Sequence, residues 1–129
     1  MKENRLIIKI DKPIGEVFEF STNPDNTHRW VDSIVKEETN EWPVKVGTIY
    51  RNQNKEGMSS EYTVTDFEKD KIFVLKQTHG DYHVRYTYTT LDENSTQLEY
   101  YEWVENGELS EPFSIHGLEK LKNILEIKQ

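Results

Sequence analysis

The spacing of apolar residues changes period twice along this chain, and the changes mark its elements. Arg5 to Ile10 is a short, β-rich apolar run that stops at Asp11-Lys12-Pro13. Proline suits the first turn of a helix there, because the amide it lacks would be unpaired anyway. Ile14, Val17 and Phe18 then recur at i, i+3 and i+4, which builds one apolar helix face and leaves Glu16 and Glu19 for solvent. Asn23-Pro24 repeats the start signal and predicts a second short helical stretch reaching Trp30. From Ser33 the period is two, with turn signals at Trp42-Pro43, Val46-Gly47, Lys55-Glu56-Gly57, Glu68-Lys69-Asp70, His79-Gly80 and Asp92-Glu93-Asn94-Ser95. That punctuation predicts a meander of about six strands.

Within the meander, Tyr62 and Val64, then Val84, Tyr86 and Tyr88, then Leu98, Tyr100 and Val104 each fall on one side of their strand. Thr63, Arg85, Thr87, Gln97 and Glu99 fall on the other, so the sheet is expected to have one wet face. After Pro112 the helical period returns: Ile115, Leu118, Leu121 and Leu125 form a stripe, with Glu119, Lys120 and Lys122 off it. This final helix is predicted at roughly Ser114 to Lys128, interrupted early by Gly117. Its stripe must be covered, and the concave face of the sheet is the large apolar surface left to cover it. The expectation is an α+β domain spanning residues 1–129. It has a curved antiparallel sheet of about seven strands, two short helices after the first strand, and a C-terminal helix across the concave face.

Composition narrows the function. A chain of 129 residues is long enough for one core and too short for two. Hydrophobic residues make up 34% and aromatics 12%, which predicts a small, aromatic-rich core. The 24 acidic residues outnumber the 16 basic ones for a net charge of -8. That charge repels phosphate backbones and anionic lipid at long range, so nucleic acid is not an expected partner. With no cysteine there is no disulfide, zinc-thiolate site or thiol nucleophile. Met1 to Asp11 alternates charged and apolar residues, unlike a signal peptide, and no run reaches membrane length. A cytoplasmic location without membrane insertion is expected. Asn94-Ser95-Thr96 fits a glycosylation pattern but reads better as a polar hairpin loop.

The order of elements and several local motifs resemble the START/Bet v1-like (SRPBCC) superfamily, in particular its polyketide cyclase/dehydrase-like branch. The motifs are Ile10-Asp11-Lys12-Pro13-Ile14-Gly15-Glu16-Val17-Phe18, Asn23-Pro24-Asp25 followed by Trp30, and Val46-Gly47-Thr48-Ile49-Tyr50-Arg51. Further ones are Tyr62-Thr63-Val64-Thr65-Asp66-Phe67-Glu68, Arg85-Tyr86-Thr87-Tyr88, Thr96-Gln97-Leu98, and the closing Leu118, Leu121, Lys122, Leu125 and Glu126. The resemblance covers nearly the whole chain and implies a helix-grip fold with a cavity between sheet and C-terminal helix. Its members include lipid carriers, hormone receptors, cyclases and partners of heat-shock ATPases, so it carries no universal catalytic residue onto this sequence. A final helix this short is expected to leave the cavity more open.

Tyr62, Tyr86, Tyr88 and Tyr100 share the inward parity, with Tyr50 joining them. Packing accounts for much of this set, yet an unpartnered buried phenol costs roughly 1–3 kcal/mol. Several together point to a cavity with polar spots. If Lys76 points outward, then Phe73, Leu75, Gln77 and His79 point inward, although His79 also reads as a surface histidine; His83, on the side of Arg85, is expected to be wet. Glu102 shares the parity of Leu98 and Tyr100, which suits it to proton transfer or to binding a ligand's donor group. A bulge near Trp103 would instead turn it to solvent. Trp30 is expected to close one end of the cavity and Trp42 to anchor a loop, while Glu37-Glu38 reads as a solvated charged face, like Glu16 and Glu19.

There is no phosphate-binding glycine loop, serine elbow, HExxH pattern or calcium-loop spacing. Catalytic residues are therefore unassigned, and neither a cofactor nor a metal is expected. The leading reading is a domain that binds a small hydrophobic or amphipathic molecule, with a ligand set of Tyr50, Tyr62, Gln77, His79, Tyr86, Tyr88, Tyr100, Glu102, Leu118 and Leu121. The alternatives are a polyketide cyclase/dehydratase-like enzyme using Glu102 or His79, and a protein-interaction module resembling heat-shock ATPase activators. The sequence leaves oligomeric state open.

Overall fold

A computed structural model of the chain describes residues 1–109 and 111–127. In order, the elements are β1 (Lys2–Ile10), α1 (Ile14–Thr22), a 3-10 helix (Pro24–Arg29), β2 (Lys36–Thr39), β3 (Ile49–Gln53), β4 (Ser59–Glu68), β5 (Ile72–Gln77), β6 (Tyr82–Asp92), β7 (Ser95–Val104) and α2 (Ile115–Glu126). All seven strands form one antiparallel sheet in the order β1-β7-β6-β5-β4-β3-β2.

That order has a consequence for the cover of the sheet. β1 and β2 are its opposite edges, so the segment joining them has to cross its full width. The crossing segment is α1 plus the 3-10 helix. Pro13 occupies the N-cap of α1, where its carbonyl accepts from Glu16 N at 3.0 Å and Val17 N at 3.2 Å. Val17 and Phe18 go into the core while Glu16 and Glu19 stay exposed. The second stretch is a 3-10 helix capped by Asn23, whose side chain accepts from Asp25 N at 2.9 Å. Tight helices of this kind are used in short pieces, and here two turns end at the Trp30 cap.

The inward parity expected for the meander holds. Cross-strand pairs Tyr50↔Tyr62, Phe73↔Tyr86, Leu75↔Val84, Tyr86↔Tyr100 and Tyr88↔Leu98 place these residues on the same face. A β-bulge between Val64 and Asp66 lets Val64 and Phe67, three positions apart, both reach the core.

α2 starts at Ser114, whose side chain accepts from His116 N at 3.1 Å. It runs unbroken through Gly117, contrary to the interruption expected there. A Cβ at position 117 would collide with the Phe113 ring, so glycine lets that ring lie against the helix. Leu118 and Leu121 are fully buried in the core. The helix sits beside β1, tied to it where Lys122 Nζ donates to the Lys9 carbonyl at 2.9 Å. One turn further along the helix, Glu126 accepts from Asp11 N at 2.6 Å. Lys128, the expected end of this helix, lies outside the described residues.

Candidate functional site: a polar-rimmed cavity under the crossing segment

A cavity of about 530 Å³ lies over the middle of the sheet. Its floor is built by inward residues of β3 to β7, including Tyr50, Tyr62, Phe73, Leu75, Tyr86 and Tyr100. Its roof is Ser21, Thr22 and Thr27 of the crossing segment with Val31 and Ile34 after it, and its third wall is the loop that carries Gly107, Glu108, Leu109, Glu111 and Phe113. No α2 residue lines it. The expected cavity between sheet and C-terminal helix is thus corrected: Leu118 and Leu121 fill the β1 side of the concave face, and the space left over opens under the crossing segment.

Six members of the sequence-derived ligand set line this cavity: Tyr50, Tyr62, Gln77, Tyr86, Tyr100 and Glu102. Tyr88, Leu118 and Leu121 do not; they are packed core. Tyr88 lies under α1, edge-on to Phe18 at 4.9 Å, with its hydroxyl 2.6 Å from Ser21 Oγ. His79 is exposed, outside the strand, because β5 ends at Gln77 and the alternation of faces ends with it. His83 also departs from expectation. It lies within β6, on the outer face, but its side chain is only 13% exposed because the ring stacks on Trp103 at 4.6 Å. Trp42 is 53% exposed. Trp30 is fully buried behind the cavity, edge-on to Tyr86 and Phe113.

Glu102 points inward and is 1% exposed; β7 stays in register around it, so no bulge turns it out. Three donors hold it. Tyr82 OH donates at 2.5 Å to one oxygen, while Asn4 Nδ2 at 2.8 Å and Phe113 N at 2.6 Å donate to the other. Asn4 Nδ2 also reaches the Phe113 carbonyl at 3.0 Å. A carboxylate so committed is a structural clamp: it fixes the loop that forms the third wall. Tyr82 is absent from the inward set although it shares the parity of Val84, Tyr86 and Tyr88; the His79-Gly80 turn signal lies close enough to mask the strand's first residue.

The carboxylate missed by the sequence is Glu37. Its neighbour Glu38 is exposed, as expected of a solvated face, but Glu37 alternates inward on β2 and lines the cavity. Thr27 Oγ1 donates to one oxygen at 2.5 Å and Asn52 Nδ2 to the other at 3.4 Å. Burial pushes its pKa up to about 7, against the smaller opposing effect of those two hydrogen bonds. A carboxyl that titrates near neutral pH can bind a donor or exchange a proton.

The tyrosines divide by hydroxyl. Tyr50 OH donates to the Thr22 carbonyl at 2.7 Å, capping the end of α1. Tyr82 is spent on Glu102. Tyr86, 7% exposed, makes no hydrogen bond through its hydroxyl among the described residues. Burial holds the Tyr50, Tyr82 and Tyr86 phenols protonated, well above their ordinary range.

At the end of β6, Asp81, His83 and Glu105 could hold a metal ion, their ligand atoms lying within 4.8 Å of one another. Asp81 already accepts from Asn106 N at 2.6 Å and Glu105 N at 2.8 Å, and these amides hold its carboxyl below the usual range. Its evident task is to tie the chain after β7 to the β6 start.

No family model and no curated protein matches this chain. Solved structures do. XoxI from Bacillus cereus is 13% identical with a TM-score of 0.76, covering 98% of this chain and 97% of that one. The Aha1 dimer from Colwellia psychrerythraea is 18% identical at 0.71, with 98% of both chains covered. DynU16, from the dynemicin biosynthetic locus, is 18% identical at 0.73, covering 96% of this chain and 47% of that one. These likenesses show the helix-grip fold. No helix of the described residues is long and apolar enough to cross a membrane.

Proposed function

We propose that this chain is a START/Bet v1-like binding domain that holds a small amphipathic molecule in its cavity, and that it does so in the cytoplasm. The observation that carries the reading is the cavity itself, about 530 Å³, of a size that suits a small organic ligand. The unpartnered Tyr86 hydroxyl and the Glu37 carboxyl offer such a ligand hydrogen bonds. The motif resemblance and the shared fold support the superfamily, with the polyketide cyclase/dehydrase-like branch as the nearest part of it.

The test has two arms. Native mass spectrometry of freshly purified protein should show a retained small molecule, or a fluorescent naphthalene probe should bind reversibly. Leu75→Trp, which fills the cavity floor, should abolish both while circular dichroism shows the fold intact. Absence of both retained mass and probe binding in the unmodified protein overturns the reading.

Glu37 favours a second reading, a cyclase- or dehydratase-like enzyme, since its carboxyl titrates where a general acid or base is useful. The motif resemblance to the polyketide cyclase/dehydrase-like branch suggests that reading's substrate class, and a protein of the dynemicin biosynthetic locus shares the fold. Turnover of polyketide-like or thioester substrates that Glu37→Gln abolishes would establish it.

A further inference from the structure

Among the described residues that line the cavity, five are acidic, Glu37, Asp81, Glu102, Glu108 and Glu111, and none is a lysine, arginine or histidine. The same wall carries seven aromatic rings, those of Tyr50, Tyr62, Phe73, Tyr82, Tyr86, Tyr100 and Phe113. From this combination we infer that the bound molecule is an organic cation: an alkyl or aromatic ammonium whose charge lies among the rings and Glu37, and whose apolar body lies on the sheet floor. The inference rests on the binding reading above and specifies its ligand.

The physical case is one of exclusion and then of fit. An anionic ligand such as a fatty acid would enter a low-dielectric space bounded by like charge with no compensating cation, and repulsion there is little screened. A neutral ligand would be tolerated, but Glu37 would then either take up a proton or carry its charge at the burial cost that pushes its pKa up to about 7. A cation removes that cost. Burial is the largest cause of the raised Glu37 pKa, and the hydrogen bonds from Thr27 and Asn52 only partly offset it.

The rings supply what an ammonium needs besides a carboxylate, since a cation within about 6 Å of an aromatic centroid is attracted by the ring's negative face, most strongly where water is excluded. Tyr62 and Tyr82 meet edge-on at 6.3 Å, and Tyr86 and Tyr100 lie 5.4 Å apart, so faces and edges of several rings bound one space. Tyr86 is more than nine-tenths buried as a residue, and its hydroxyl, without a partner among the described residues, is a second pointer to a polar guest. The four other phenols of the lining are accounted for: Tyr50 and Tyr82 have partners, Tyr100 OH lies 3.4 Å from Tyr82 OH, and Tyr62 has Ser60 and Asn52 beside it. Overall charge works in the same direction, as a net -8 draws cations toward the mouth.

Three probes with one chain length separate the possibilities: decyltrimethylammonium, decanol and decanoate, each titrated calorimetrically below its micelle concentration. The ammonium should bind at least about tenfold more tightly than decanol, and decanoate should not bind measurably. Glu37→Gln should lower ammonium affinity by about tenfold and leave decanol unchanged, whereas Glu16→Gln, on the exposed face of α1, should change neither. If Glu37→Gln does not fold, Tyr62→Leu makes the comparison through a ring and should weaken the ammonium more than decanol. Equal affinity for ammonium and decanol overturns the cation inference while leaving the binding reading intact. So does an equal loss in Glu37→Gln and Glu16→Gln, which would assign the preference to overall charge. Failure of all three probes to bind overturns both.

Discussion

Asn4 on the first strand donates its side-chain amide to Glu102 on the last, at 2.8 Å, where the register already sets the two residues opposite each other. The same carboxylate takes Phe113 N and Tyr82 OH, so a single side chain joins β1, β6, β7 and the loop that walls the cavity. Removing it strands three donors in the interior. Glu102→Ala should cost about 3–5 kcal/mol, and Glu102→Gln, which keeps one acceptor oxygen, about 1–3 kcal/mol. Urea denaturation measures both; a cost under about 0.5 kcal/mol for Glu102→Ala would contradict the clamp.

Phe18→Ala should cost about 3–5 kcal/mol, because Phe18 is 5% exposed and meets Phe67 and Tyr88 edge-on at 5.6 and 4.9 Å. His83→Ala should cost about 1 kcal/mol, more than its outer-face position alone suggests, through loss of the stack on Trp103. Chemical denaturation of the two variants checks the ranking.

Among the phenols, Tyr50→Phe should destabilise by about 1–2 kcal/mol, since it leaves the buried Thr22 carbonyl at the end of α1 without its donor. Tyr86→Phe should cost less than about 0.5 kcal/mol, because no partner loses a bond. Thermal melts of the pair decide this, and equal shifts would mean that Tyr86 has a partner after all.

Glu37 makes stability depend on pH. Its folded-state pKa of about 7 lies above the reference 4.5, so the folded protein binds the proton more tightly than the unfolded chain does. Between those values the unfolded state holds fewer protons, and stability must fall as pH rises. The contribution is complete below about pH 4.5 and gone above about pH 7, a loss of roughly 3 kcal/mol. Glu37→Gln should flatten this part of the profile. Denaturation midpoints of the unmodified protein and the variant across that range measure it, and parallel profiles would sink the assignment.

What the sequence by itself determined is whatever depends on local periodicity and local capping. The strand parity of Tyr62, Tyr86, Tyr88 and Tyr100, the helix start at Pro13, the Asn23 cap and the Leu118–Leu121 face were all legible, because each is decided by residues within a few positions of one another. What only the tertiary structure decided is which inward faces are filled and which are left open. Tyr88 and Tyr86 have the same parity, yet α1 packs on the first and leaves the second facing a cavity. Glu37 and Glu38 are one charged pair in sequence, yet the crossing segment brings Thr27 over Glu37 alone. His79 continues a period that its strand had already ended. Glu102 became a clamp because Asn4 and Phe113, distant along the chain, converge on it. Periodicity assigns a side chain to a face; the cover over that face comes from residues far along the chain, and only their packing determines whether it holds core or cavity.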